Sequence, residues 1–283
     1  TEMADLVLHP AAVRAFAQHL HQEERSQGTQ EKYLRDVTRF AQWLDGRPVS
    51  REEANAWKGY LIQRHYSPVT INSMVAAVNA FFTFLGWTEC RIRYLRIQKQ
   101  LFRSKEKELT RPEYQRLVQA AQNLGRNRLG LLLETICAAG LRVSEVRYIT
   151  VEAAKQGQVD IGLKGKIRKI LLPAKLCRKL LHYAKKQKIA SGEIFLTRSG
   201  KSMDRRQIWA EMKAICASAN VAASKVFPHN LGHLFARIFS QASRDVAKLA
   251  DVLGHSSIET TRIYLLSTGE EHSRQLERLM LVT

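Results

Sequence analysis

The sequence predicts a mainly α-helical protein in two domains, with one small β-hairpin in the second. Apolar residues recur at helical spacing through most of the chain. Between residues 91 and 107 that patterning gives way to a basic run, and a pair of short β-like runs flanks Gly165. A length of 283 residues also exceeds the roughly 100 to 200 that usually form one domain. The expected division is a helical domain over 1–90, a basic linker over 91–107, and a mixed α/β domain with a tail helix over 108–283.

In the first domain Val13, Phe16 and Leu20 share one helical face, and Tyr33, Val37, Phe40 and Leu44 share another. Ser50-Arg51-Glu52-Glu53 has the form of a capping box, in which hydroxyl and carboxylate each satisfy an orphan backbone N–H; it opens a third helix carrying Trp57 and Leu61. Ser67-Pro68 opens a fourth, because a proline in the first turn loses no hydrogen bond. Ile71, Val75, Val78, Phe82 and Leu85 line its face until Gly86. From Arg91 to Glu108 seven basic residues, Arg91, Arg93, Arg96, Lys99, Arg103, Lys105 and Lys107, face two acids. Thr110-Arg111-Pro112-Glu113 repeats the capping-box pattern and starts the second domain. Helices run on to about Ala138, with Gly140 as a break, and Val159–Leu163 and Lys169–Leu172 form the hairpin around Gly165. Further helices are expected over 174–188, 204–219, 229–240, 245–253 and 257–264, and 270–281 repeats the amphipathic pattern with Leu276 and Leu279.

Lys and Arg number 45 against 26 Asp and Glu, a formal charge of +19 and a pI near 10.1. Such a surplus points to a polyanionic partner, since each phosphate neutralised releases a condensed counterion. An anionic membrane fits poorly: no apolar run is seen to approach the roughly 18 residues of a spanning helix. The most apolar stretch, Leu129 to Leu141, holds Glu134 and runs into Arg142. Nucleic acid is the expected partner, with the basic run placed where a linker would cross a phosphate backbone. Cys90, Cys137, Cys177 and Cys216 form no Cys-x-x-Cys pair and read as reduced core residues of a cytosolic protein. No secretion signal is visible, and a start at Thr1 fits a trimmed fragment with an upstream domain missing.

The residues that carry chemistry concentrate in the second domain. Leu253-Gly254-His255 is followed, nine residues after the histidine, by Tyr264. A phenol has a pKa of about 10, so a tyrosine that attacks phosphorus needs neighbouring cations and proton carriers. Arg142, in Gly140-Leu141-Arg142-Val143-Ser144-Glu145, directly follows an apolar helix and a glycine. Its guanidinium is expected to be buried and held by packing, a fixed fork suited to two oxygens of one phosphate. Read alone, it would more often be a surface ion pair with Glu145. Lys164 stands in the hairpin, in Leu163-Lys164-Gly165-Lys166. His229 and His233 have the spacing of a zinc site. A zinc-protease helix would carry Glu where Asn230 stands, and no third ligand is recognisable, so no metal is expected. Arg205 and Arg206, at a helix start after Thr197-Arg198-Ser199-Gly200-Lys201, suit a phosphate or the major groove.

Taken together and in this order, these segments resemble the catalytic domain of the tyrosine recombinases, the family of phage-type integrases and Xer recombinases. The resemblance is strong over 107–283 and weaker over 10–88, where such recombinases place a helical, SAM-like bundle that binds the core site. It implies a clamp around double-stranded DNA, with Tyr264 as nucleophile forming a 3′-phosphotyrosine bond and releasing a 5′ hydroxyl. The covalent link conserves bond energy, so resealing needs no ATP, metal or other cofactor. By the same resemblance Arg142 clamps the phosphate, with Glu145 orienting it, and Lys164 is the general acid toward the leaving 5′ oxygen. An ammonium can do this where a guanidinium does it poorly; Lys166 and Arg168 are rivals, because the hairpin register is open. His229 is implied as general base or proton shuttle, His255 as a hydrogen bond to the scissile phosphate, and His233 as a support for its helix. DNA contacts beyond the site fall to Arg91, Arg93, Arg96, Lys99, Arg103, Lys201, Arg205 and Arg206. The family further implies a dimer on one site, a tetramer in the synapse, exchange through a Holliday junction, and a C-terminal helix docking on a neighbour. An accessory directionality factor, no membrane partner and a cytoplasmic, nucleoid-associated bacterial setting complete the expectation. The Lys-Gly-Lys hairpin and basic linker are similar to integrases of bacterial conjugative transposons.

One position departs from the family pattern: where His-x-x-Arg calls for arginine, this chain has Gly232. Losing one preorganised donor to the transition state costs on the order of 10² to 10³ in rate. Arg237 is a poor substitute, since five residues along a helix turn it about 140° away. Glycine inside a helix is less favourable than alanine by about 1 kcal/mol, so the local fold does not ask for it. The expectation is a crippled copy, natural or engineered, that binds its DNA site and cleaves it slowly. Two other readings stand beside this one. The first is a catalytically inactive DNA-binding protein derived from an integrase, which Gly232 supports. The second is a type IB topoisomerase-like enzyme, against which the two-domain order and the His-x-x-x-His segment weigh.

Overall fold

Backbone N–H groups left over at the starts of three helices in the first unit find serine hydroxyl partners. Ser26, Ser50 and Ser67 accept from Thr29, Glu53 and Thr70 at the starts of α2 (Gln27–Leu44), α3 (Arg51–Gln63) and α4 (Pro68–Leu85), which follow α1 (Pro10–Gln22). The computed structural model describes residues 6–97, 105–163, 166–265 and 278, and the chain divides into two units, Thr1–Lys99 and Gln100–Thr283. At Ser50 the expected capping box is half formed: Glu53 pairs with Arg47 at 3.0 Å, a charged partner in place of a neutral N–H.

α4 is the core helix of the first unit, with Ile71, Val75, Val78 and Phe82 packed against Phe40, Trp57 and Leu61. By length and composition alone it is apolar enough to cross a membrane, but Thr70, Asn72, Ser73, Asn79 and Thr83 interrupt its apolar run and its apolar face is packed in the core. After Gly86, which takes a left-handed φ of +75°, a 3₁₀ turn over Thr88–Cys90 leads into a segment that runs back along α4. Asn79 there acts like a strand edge: it accepts from the Ile92 N–H at 2.8 Å and donates to the Ile92 carbonyl at 2.9 Å. Asn72, seven residues earlier on the same face, does the same for Leu95 at 2.7 and 2.9 Å. Ile92 is thereby buried while Arg91, Arg93 and Arg96 stay exposed.

The second unit opens with the Thr110 capping box, both bonds present, at α5 (Arg111–Asn123). α6 (Asn127–Ala139) buries Leu129, Leu132, Leu133 and Ile136 at the centre of the larger core. A 3₁₀ turn, Val143–Tyr148, and α7 (Val151–Gln156) follow, neither of them expected from the periodicity. β1 (Gln158–Leu163) and β2 (Lys166–Leu171) pair antiparallel from Gln158 with Leu171 to Leu163 with Lys166, so the second strand starts three residues before the expected Lys169. α8 (Ala174–Lys186), α9 (Arg205–Ala214), α10 (Pro228–Ser243), α11 (Val246–Leu253) and α12 (Ile258–Tyr264) complete the unit. α9 stops five residues short of the expected 219, where the chain tightens into turns. The expected tail helix over 270–281 lies outside the described residues, apart from 278.

Candidate active site

α6 ends at Gly140 with φ +62°, where an added Cβ would stand 2.7 Å from the Phe235 ring of α10. Only glycine permits that approach, and it delivers Arg142 two residues later. The Arg142 N–H donates to Glu145 Oε2 at 2.8 Å, Nη1 donates to Oε1 at 3.1 Å, and Nη2 donates to the Leu253 carbonyl at 2.9 Å. The expectation of a buried arginine is corrected: its side chain is 43% exposed and is held by hydrogen bonds rather than by packing. Glu145, in contrast, is 1% exposed.

His229, Gly232 and His233 lie on one face of α10, as the i, i+3, i+4 spacing dictates. That face meets Tyr264 at the end of α12. Tyr264 Oη lies 3.1 Å from His229 Nε2, and the His233 ring packs on the tyrosine ring with centroids 4.3 Å apart. α11 ends at Gly254 with φ +62° and hands the chain to His255, whose ring centroid is 5.0 Å from that of Tyr264. His255 Nδ1 is 2.9 Å from the hydroxyl of the buried Thr261, leaving Nε2 as the nitrogen for a substrate. A Cβ added at Gly232 would meet only Tyr264 Cε1, at 3.5 Å, so this position has room for a side chain. Arg237 is engaged elsewhere, with Glu108 and the Leu109 carbonyl.

Arg142, Arg147, Arg205, Trp209, His229, His255 and Tyr264 share one cleft of about 610 Å³, with Gly232 in its wall. Burial pushes the Tyr264 phenol above its ordinary value, against the pull of the Arg142 and Arg168 charges. Tyr264 is therefore a neutral phenol near neutrality, and His229 Nε2 is the ring nitrogen within hydrogen-bond distance of its hydroxyl. Burial, with the charges of Arg142, Arg168 and His229, holds the His255 imidazole below its usual range.

The remaining sequence candidates are scattered. Arg205, in the first turn of α9, lines the cleft, whereas Arg206 and Lys201 are exposed outside its lining. Arg91, Arg93 and Arg96 are exposed in the first unit. Lys164, Lys99 and Arg103 lie outside the described residues. Arg168, a rival for the general acid, has a side chain only 9% exposed, turned onto Glu145 and outside the cleft lining. Arg147, Trp209 and Thr261 were not anticipated; no motif marks them, and only the fold brings them to the site.

A helical bundle followed by a helical domain with a hairpin, its tyrosine bonded to histidine beside an arginine–carboxylate pair, is the make-up of a tyrosine recombinase. A model of the phage integrase family matches residues 107–271, and one of the phage integrase N-terminal SAM-like domain matches 13–89. The chain belongs to the phage integrase family, whose members are DNA-binding tyrosine recombinases. It is 28% identical over 290 residues to tyrosine recombinase XerA of Pyrococcus furiosus, covering 99% of this chain and 98% of that one. It is 30% identical over 281 residues to tyrosine recombinase XerC of Roseiflexus castenholzii, covering 89% and 87%. Its fold is similar to that of a lambda integrase tetramer bound to a Holliday junction, with a TM-score of 0.73, 15% identity, and coverage of 92% of this chain and 78% of that one. It is also similar to the Tn1549 transposon integrase in complex with transposon right end DNA, with a TM-score of 0.68, 16% identity, and coverage of 96% and 99%.

Proposed function

We propose that this protein is a site-specific recombinase that cuts and rejoins DNA through a 3′-phosphotyrosine intermediate, integrating and excising a mobile element. The observation that carries the reading is the Tyr264 to His229 contact of 3.1 Å, in the same cleft as an Arg142 held by Glu145. Tyr264 Oη attacks the phosphorus and passes its proton to His229. The bond to the 5′ oxygen breaks, and that oxygen takes its proton from Lys164. Arg142 and His255 Nε2 hold the non-bridging oxygens, and Glu145 holds Arg142. The first unit, to about residue 90, binds the core site; the basic stretch over 91–107 follows the backbone; residues 108–283 do the chemistry. A lambda integrase tetramer on a Holliday junction and a transposon integrase on transposon-end DNA are the models for assembly and element type, here a conjugative transposon. Lys201, Arg205 and Arg206 add DNA contacts around the cleft.

Gly232 lowers the rate of cleavage, because the cleft wall offers no guanidinium where the family pattern has one. A nicked suicide duplex carrying the protein's site, selected from random DNA, tests both statements through the covalent adduct seen on a denaturing gel. The wild type is expected to give slow adduct formation, Tyr264→Phe none, and Gly232→Arg a rate raised by about 10² to 10³. Equal yields from the wild type and Gly232→Arg overturn the impairment. No adduct from either, with DNA affinity intact, favours the second reading, a DNA-binding protein that has lost its chemistry, to which Gly232 also points.

A further inference from the structure

Arg168 lies outside the cleft lining, yet it touches three segments that carry cleft residues. Its Nη1 donates to both oxygens of Glu145, at 2.6 and 2.5 Å. Its Nη2 donates to the Gly140 carbonyl at 2.9 Å and to the Val252 carbonyl at 3.3 Å. Its Cδ approaches Gly254 so closely that an added Cβ there would stand 2.7 Å away. Gly140 ends α6, two residues before Arg142, and Val252 and Gly254 end α11, directly before His255. Both carbonyls belong to helix C-termini, where partial negative charge gathers and a cation is stabilising.

The hairpin register is what turns this residue inward. Arg168 pairs with Ile161 and Ile170 with Val159, so Arg168 shares the core-facing side, while Ile167 and Leu171 point outward. Glu145 is 1% exposed, and a carboxylate buried that deeply needs a counter-charge. Arg142 contributes one side-chain bond to it at 3.1 Å; the closer partner is Arg168.

We propose that Arg168 is a positioning residue for the cleavage site. It neutralises Glu145, which leaves part of the Arg142 guanidinium available to phosphate, and it ties the ends of α6 and α11 so that Arg142 and His255 share one frame. This rests on the recombinase reading above. Without Arg168, Glu145 draws Arg142 into a two-pronged pair and turns its fork from the cleft.

The test uses the full chain with Arg168→Met, Arg168→Lys and the double variant Arg168→Met/Glu145→Gln, each checked for folding by thermal melt. DNA affinity, adduct rate on the nicked duplex and the His255 imidazole titration by NMR are read for each. For Arg168→Met the expected result is near-unchanged affinity with an adduct rate lower by about 100-fold, the cost of misplacing a reacting group by about an ångström. Arg168→Lys, which keeps the charge without the fork, restores only part of it. The double variant, lacking the orphan carboxylate, falls between Arg168→Met and the wild type, and serves as the test if Arg168→Met does not fold. The His255 titration moves up in Arg168→Met, because one nearby positive charge is gone. A wild-type adduct rate in a folded Arg168→Met or in the double variant overturns the proposal. If neither the wild type nor Gly232→Arg forms an adduct, the recombinase reading fails separately, and the NMR arm still decides: an unmoved His255 titration overturns the role of Arg168.

Discussion

Gly232 sits inside α10 with ordinary helical φ, and a Cβ there would make an unstrained 3.5 Å contact with Tyr264. Replacing it with alanine is expected to stabilise the second unit by about 1 kcal/mol, through helix propensity and the lower entropy of the unfolded chain. Chemical denaturation measures this, and a destabilised Gly232→Ala would mean that the fold requires the glycine. His255 gives the pH prediction. Its folded-state pKa lies below its ordinary value, mainly through burial, so below about pH 6.5 the unfolded chain binds the extra proton first. Its contribution to stability is present above that pH and is lost as the pH falls through the folded value. Melting temperatures taken between pH 7 and pH 5 are expected to fall more steeply for the wild type than for His255→Gln; parallel slopes would contradict this. At this scale Tyr264, His229, His255, Arg142 and Glu145 were legible because their motifs are local strings. Arg168 was legible only as a rival to Lys164, because the sequence does not show which face of a strand it occupies.

Helices were easy to read where caps and period agreed, as at Thr110 and Ser67, because both signals come from within a few residues. The six-residue α7 carries too few turns to show a period. β2 misleads in a different way: Ile167 is 80% and Leu171 69% exposed while the Arg168 side chain is only 9% exposed, so the apolar alternation points to the wrong face. The extended segment after α4 is held by Asn79 and Asn72 rather than by a partner strand. Asn79→Ala leaves the buried Ile92 N–H and carbonyl without partners, which is expected to destabilise the first unit by about 1 to 3 kcal/mol per unsatisfied group. Denaturant titration followed by tryptophan fluorescence checks it, and a loss below a few tenths of a kcal/mol would show that water replaces the asparagine.

For the whole molecule, the charge of +19 sets the expectation that DNA affinity falls steeply with salt. If Arg91, Arg93 and Arg96 each neutralise one phosphate, changing all three to glutamine flattens the slope of log affinity against log salt by about 2.7, or about 0.9 per contact. Anisotropy titrations at several salt concentrations read this directly, and an unchanged slope would remove these arginines from the DNA contact. The sequence by itself determined the two-part helical plan, the family and the identity of the nucleophile candidate, because composition, helical period and motif spacing are short-range properties of the chain. Only the tertiary structure decided that Arg142 stands half exposed on a buried Glu145, that Arg168 lies beneath both, and that Trp209 and Arg205 share the Tyr264 cleft. Those contacts join residues up to 59 positions apart, Arg205 and Tyr264, and packing and strand register, which no local pattern encodes, bring them together.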